Sequence, residues 1–116
     1  MNTIIIKRVY EEPQKEDGFR VLVDRLWPRG ITKDKAKLDI WAKEISPSNE
    51  LRKEYHSSSD EVVFRMKYLE ELKENPSSEE FRNNVLERLA VSNVTLLTSA
   101  KNTDFNHCHV IKEWLK

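Results

Sequence analysis

The sequence predicts a small α/β fold, a mainly parallel sheet of three or four strands packed with helices in a Rossmann-like, three-layer arrangement. Three observations carry this expectation. Short β-branched runs stand towards both ends of the chain, at Ile4-Ile5-Ile6, from Phe19 to Val23 and from Val94 to Thr98. Between them apolar residues recur at helical spacing. The last run leads almost at once into another helical stripe, which is half of a βαβ unit. At 116 residues the chain is expected to form one domain, 1–116, and to bury a core without disulfides or a metal.

The first strand is Ile4-Ile5-Ile6 with Val9 and Tyr10, apolar on both faces and ending at Lys7 and Arg8. Pro13 and Gly18 punctuate a polar link, and Phe19 to Leu26 reads as the second strand. That link is too short for a crossover helix, so the two strands either form a hairpin or run parallel with another strand between them. After Gly30 the spacing of Leu38, Trp41 and Ile45 predicts a helix, and Ser46-Pro47 predicts the cap and first turn of another, carrying Leu51 and Tyr55. Ser58 with Glu61 has capping-box spacing and opens a helix striped by Val62, Met66, Leu69 and Leu72, which Asn75-Pro76 ends. Ser77 with Glu80 repeats the device before Phe81, Val85 and Leu89. After strand Val94–Thr98 a final helix runs from about Thr103, with Cys108, Ile111 and Leu115 on its apolar stripe.

Charge narrows the function classes. Twenty Lys and Arg balance twenty Asp and Glu, so no global field holds nucleic acid or an anionic membrane, and any anion site must be local. Nucleic acid is therefore a disfavoured partner, and no stretch approaches membrane-spanning length. The single cysteine, Cys108, excludes an internal disulfide framework and fits a reducing compartment, so the cytoplasm is the expected location. With only Gly18 and Gly30 there is no GxGxxG or Walker-type loop, and no cofactor is expected.

Two segments carry candidate chemistry. Asp24 to Gly30, DRLWPRG, lies at a strand end, where alternation aims Asp24 and Arg25 at opposite faces. Pro28 at the second position and Gly30 at the fourth suit a type I turn from Trp27 that projects Arg29 outward. Arg25 and Arg29 then form two arms of an anion clamp, with Asp24 as a base or as the holder of an arginine. The competing reading is an ion-pair brace beside Trp27 as a core plug. The second segment, Ser99 to Asp104, joins a strand to a helix and offers first-turn N–H groups, Lys101 and the hydroxyls of Thr98, Ser99 and Thr103 to a phosphate or carboxylate. Its plain alternative is a self-capped helix with a solvated lysine. His107 and His109 lie about 200° apart around a helix, so a joint metal site is not expected. His107 in the first turn is expected to be neutral, as a capping or exposed side chain. Cys108, on the apolar stripe, reads as a small hydrophobe with a raised pKa.

The residues Lys7-Arg8-Val9-Tyr10, Arg20 to Gly30, Glu50-Leu51-Arg52-Lys53, and Thr95-Leu96-Leu97 to Asn106-His107 resemble the YeaO-like bacterial proteins, a family with a domain of unknown function. The resemblance spans essentially the whole chain. It implies a compact cytoplasmic α/β domain whose shared polar positions are Arg8, Asp24, Arg25, Arg29, Lys101, Asn106 and His107. No settled activity comes with it, and Cys108 stands where the family carries alanine. Two functions are expected to compete. In one, Arg8, Arg25, Arg29, Ser99, Lys101 and Asn106 bind a small anionic metabolite, a nucleotide or phosphorylated compound, on which Asp24 and His107 can act. In the other, the chain is a non-enzymatic module for a protein or, less favoured, nucleic acid. The first requires both segments to meet at one end of the sheet.

Overall fold

Strands that are apolar on both faces belong between two layers, and the centre of the sheet has this character. The computed structural model describes residues 2–116. It holds β1 (Ile4–Arg8), β2 (Phe19–Leu22), β3 (Ile40–Trp41) and β4 (Val94–Thr98), all parallel, in the order β1-β4-β2-β3. β4 is buried along its whole length. It pairs Val94 to Thr98 with Ile4 to Arg8 on one side and Val94 to Leu97 with Phe19 to Leu22 on the other. The first two strands are therefore not a hairpin, and the last strand in the chain separates them. Full burial of Leu96 and Leu97 stabilises the sheet by about 1.5–3 kcal/mol for each side chain.

The two faces of the sheet are covered unequally. Ile4, Val21, Val23, Val94 and Leu96 face the main core with buried residues of four helices. These are α2 (Asn49–Ser58), α3 (Glu61–Glu74), α4 (Ser78–Leu89) and α5 (His107–Leu115). The other face presents Val9, Leu22 and Leu97 to Ala36, with Trp27, Ile31, Leu38 and Trp41 around them. Its covering layer is a single turn, α1 (Lys33–Ala36), and loops. Towards β1 this face is polar. Buried Asp17 accepts from Lys7 Nζ at 3.0 Å, from Arg20 Nη1 at 2.5 Å and from the Gln14 N–H at 2.9 Å, while Thr95 Oγ1 donates to its carbonyl.

Several local expectations are corrected. β2 pairs only as far as Leu22, not Leu26, because beyond Val23 the chain turns its acceptors to side chains such as the Trp41 indole. The helix expected through Leu38, Trp41 and Ile45 is absent. α1 stops when Lys37 adopts φ 46°, and Ile40–Trp41 pairs with β2 instead. The cap of α2 is Ser48, whose Oγ accepts from Leu51 N–H, so Ser46 and Pro47 lie outside the helix. Asp60, not Ser58, caps α3. That helix buries Phe64, Tyr68 and Leu72 and leaves Val62 and Met66 exposed, because two apolar stripes compete and the aromatic one packs better. α5 begins at His107 rather than Thr103, since Asn102 Oδ1 captures the Asp104 and Phe105 N–H groups in a turn. The turn after Trp27 falls at Arg29–Gly30, one residue late, with Gly30 at φ 76°.

Candidate functional site

β2 and β4 are neighbours in register, so the chain leaving each strand emerges at the same end of the sheet. The two candidate segments meet there. Asp24 Oδ1 accepts from Thr98 Oγ1 at 2.7 Å, and Oδ2 accepts from both the Ser99 N–H and Ser99 Oγ at 2.8 Å. His107 Nε2 stands 3.3 Å from Oδ1 and also contacts the Val23 carbonyl. A carbonyl only accepts, so Nε2 carries hydrogen and donates into this pocket of acceptors. Burial works against the charge on Asp24, but bonds from His107, Thr98 and Ser99 outweigh it and hold the carboxyl below its ordinary value. A carboxylate so surrounded is a poor proton acceptor near neutrality. His107 is thus neither a helix cap nor a free side chain.

Arg25, one arm of the expected clamp, and Arg8 are both turned to backbone carbonyls. Arg25 donates from Nη2 to the Ser46 carbonyl at 2.9 Å and to the Pro47 carbonyl at 3.2 Å. Arg8 donates from Nε to the Ala100 carbonyl at 3.0 Å and from Nη2 to the Ser99 carbonyl at 3.2 Å, and it lies over the Tyr10 ring. Each staples a loop by its backbone. Asn106 is buried as the N-cap of α5, accepting from the Cys108 N–H and donating to the Asn102 carbonyl. Its own N–H donates to His109 Nδ1, which directs His109 away from His107. Ser99 is engaged by Asp24. Only Arg29 and Lys101 among the candidate cations are exposed and without a hydrogen-bond or ion-pair partner among the described residues. Trp27 packs edge-on to Trp41 at 5.4 Å, donates to the Ile31 carbonyl and borders the second apolar cluster, as a plug does. Trp41 in turn donates to the Asp24 carbonyl at 2.6 Å. Burial raises the Cys108 thiol well above its ordinary pKa, so it is a hydrophobe here.

Thr98 as a direct partner of Asp24 was not legible because the pairing depends on strand order, and the Ser46 and Pro47 carbonyls as targets of Arg25 were not because backbone acceptors leave no mark on residue type. The Lys7, Asp17 and Arg20 group did leave one. A charged residue flanked by Phe19 and Val21 and sharing a face with Leu22 in a buried strand needs an internal partner.

The chain is similar to known proteins over nearly its whole length. The family model described as "Inactive DUF488-N3 subclade" matches residues 3–116. The chain is 46% identical over 111 residues to "Uncharacterized protein YeaO" of Escherichia coli (strain K12), covering 95% of this chain and 94% of that one. It is 38% identical over 111 residues to "Uncharacterized protein Rv3073c" of Mycobacterium tuberculosis (strain ATCC 25618 / H37Rv), covering 95% and 91%. No solved structure matches. The chain belongs to the YeaO-like family of domains of unknown function, within the group that this family model describes.

Proposed function

We propose that the chain is a non-catalytic binding module that holds an anionic group at the carboxyl end of its sheet. One observation carries this reading. Asp24, His107, Arg8 and Arg25, the groups that acid–base chemistry and an anion clamp would need, are bonded to one another or to backbone, whereas Arg29 and Lys101 remain exposed. The word "inactive" in the description of the matching family is in keeping with it. A nucleotide or phosphorylated compound suits two cations at a sheet end better than a nucleic acid, given the balanced net charge. The bacterial cytoplasm is the proposed setting, supported by bacterial relatives and a single buried thiol. A protein partner at the same end is a second reading, favoured by Leu26, 72% exposed between Arg25 and Trp27.

A thermal-shift screen against nucleotides, phosphosugars and simple anions tests the proposal. A ligand at about 100 times its Kd adds roughly 2.7 kcal/mol. The expected hit is lost in the double variant Arg29→Ala, Lys101→Ala and is recovered chemically unchanged after incubation. A ligand converted to product by the native chain, but not by a folded Asp24→Asn variant, would overturn the non-catalytic reading in favour of acid–base work by Asp24 and His107.

A further inference from the structure

The free edge of the sheet is a feature independent of the anion site. β1 is an outer strand. The Val94 N–H donates to the Thr3 carbonyl at 3.2 Å and the Val9 N–H to the Thr98 carbonyl at 2.9 Å. With the Ile5↔Thr95 and Lys7↔Leu97 register, this places the backbone groups of Thr3, Ile5, Lys7 and Val9 towards β4. Ile4, Ile6 and Arg8 therefore turn their N–H and C=O outward. Arg8 is closed off by Glu11, whose Oε2 accepts from the Arg8 N–H at 2.8 Å and whose N–H donates to the Arg8 carbonyl at 3.0 Å. Ile4 and Ile6 have no such protein partner among the described residues. No proline or bulge interrupts the strand, and Lys7, which would guard an edge if it pointed outward, is drawn inward to Asp17.

Beside this edge, on the Lys7 face, lies an open groove of about 590 Å³ whose walls include Ile5, Glu11, Glu12 and Glu16. Its one ammonium, on Lys7, is engaged by Asp17 and the Glu12 carbonyl. Asp17 is further neutralised by Arg20. The three glutamates are exposed, so the groove presents uncompensated negative charge next to unpaired strand backbone. These carboxylates repel nucleic acid and attract a basic side chain.

We propose that the outer edge of β1 docks an extended peptide segment of a partner protein, which adds a strand at Ile4 and Ile6 and places a lysine or arginine among Glu11, Glu12 and Glu16. Backbone bonds to Ile4 and Ile6 hold the segment, and alternation dictates its sequence. Basic residues every second position face the groove, and the residues between lie beside Ile4 and Ile6 on the helical face.

The probe is an end-blocked Val-Lys-Val-Lys-Val-Lys peptide, titrated into the full chain with amide hydrogen exchange read by NMR. Saturating peptide is expected to slow exchange at Ile4 and Ile6 about tenfold or more. The double variant Glu12→Lys, Glu16→Lys, at two exposed positions, should keep its melting curve and weaken binding by about tenfold at low salt, with a smaller loss at high salt. Equal binding of a Val-Glu-Val-Glu-Val-Glu peptide, or exchange at Ile4 and Ile6 that the bound peptide leaves unchanged, would overturn the proposal. So would slowed exchange at Ile4 and Ile6 on concentrating the protein alone to a dimer, which assigns the edge to a second copy. None of these outcomes involves Arg29 or Lys101, so the anion reading stands or falls separately.

Discussion

Asp24→Asn separates a brace from a catalytic base, because the two roles move stability in opposite ways. The amide keeps the shape of the carboxylate and one oxygen, so the bond from Thr98 Oγ1 survives in neutral form. The other oxygen becomes an NH2 facing the Ser99 N–H and Ser99 Oγ. The hydroxyl can rotate to accept, but the backbone N–H cannot and is left unpaired, at about 1–3 kcal/mol. Loss of the charge weakens the remaining bonds from Thr98 and His107 by about a further 1 kcal/mol. The expected cost is about 3 kcal/mol, a fall in Tm of roughly 12 °C for a chain this long. Urea unfolding followed by circular dichroism measures it, and a Ser99→Ala double-mutant cycle should return a coupling of about 1 kcal/mol or more. An Asp24→Asn variant within about 0.5 kcal/mol of the native chain, or more stable than it, would refute the brace, since relief of an unfavourable carboxylate is the mark of a functional site.

Other consequences follow from the same bonds. Asp17→Asn removes the carboxylate between Lys7 and Arg20 and should cost about 3–5 kcal/mol by chemical denaturation, because buried Arg20 loses its counter-charge. For Asp17, burial opposes the charge, but the Gln14 N–H, Lys7 and Arg20 outweigh it, and like Asp24 its folded value lies below the ordinary 3.8. Their contribution is full above that value and is lost as pH falls through the lower folded values. The native acid-unfolding limb should therefore be steep, and the double variant Asp17→Asn, Asp24→Asn should flatten it in pH-dependent melts. Gly18→Ala should leave little folded protein at 37 °C by proteolysis, since φ there is 65° and a Cβ would overlap the Asn93 carbonyl. Cys108 should react with a thiol reagent only at the rate of unfolding, accelerating with urea.

β1, β2, β4 and the last three helices were legible because their signals are redundant. β4 is apolar on both faces, and Asn75-Pro76 and Ser77 punctuate the chain between α3 and α4. Residues 31–48 were misread because Leu38, Trp41 and Ile45 match a helical period by coincidence. What decides their structure is tertiary, namely Arg20 donating to the Ala36 and Lys37 carbonyls and Trp41 reaching the Asp24 carbonyl. Exposed Val62 and Met66 show the same limit, since one helix offered two stripes and only packing chose between them. At the sheet end, residue types singled out Asp24, Arg25, Ser99 and His107. They could not reveal that these groups bond to each other and to the backbone, because strand order was needed to bring 24 beside 99.

The place of β4 also sets a timetable for synthesis. β1 and β2 share no ladder except through residues 94–98, so a growing chain carries both for roughly 4–15 s before the strand that joins them is translated. During that interval β1 has no native neighbour in its sheet, β2 has only the two-residue β3, and helices α2 to α4 have only a partial core to cover. A chain cut short before Val94 should therefore behave as a set of unjoined pieces and be cleared or aggregate, whereas one lacking only Lys116 should fold. Quality control of this protein is thereby concentrated in its last quarter, where a nascent chain either closes the sheet or fails.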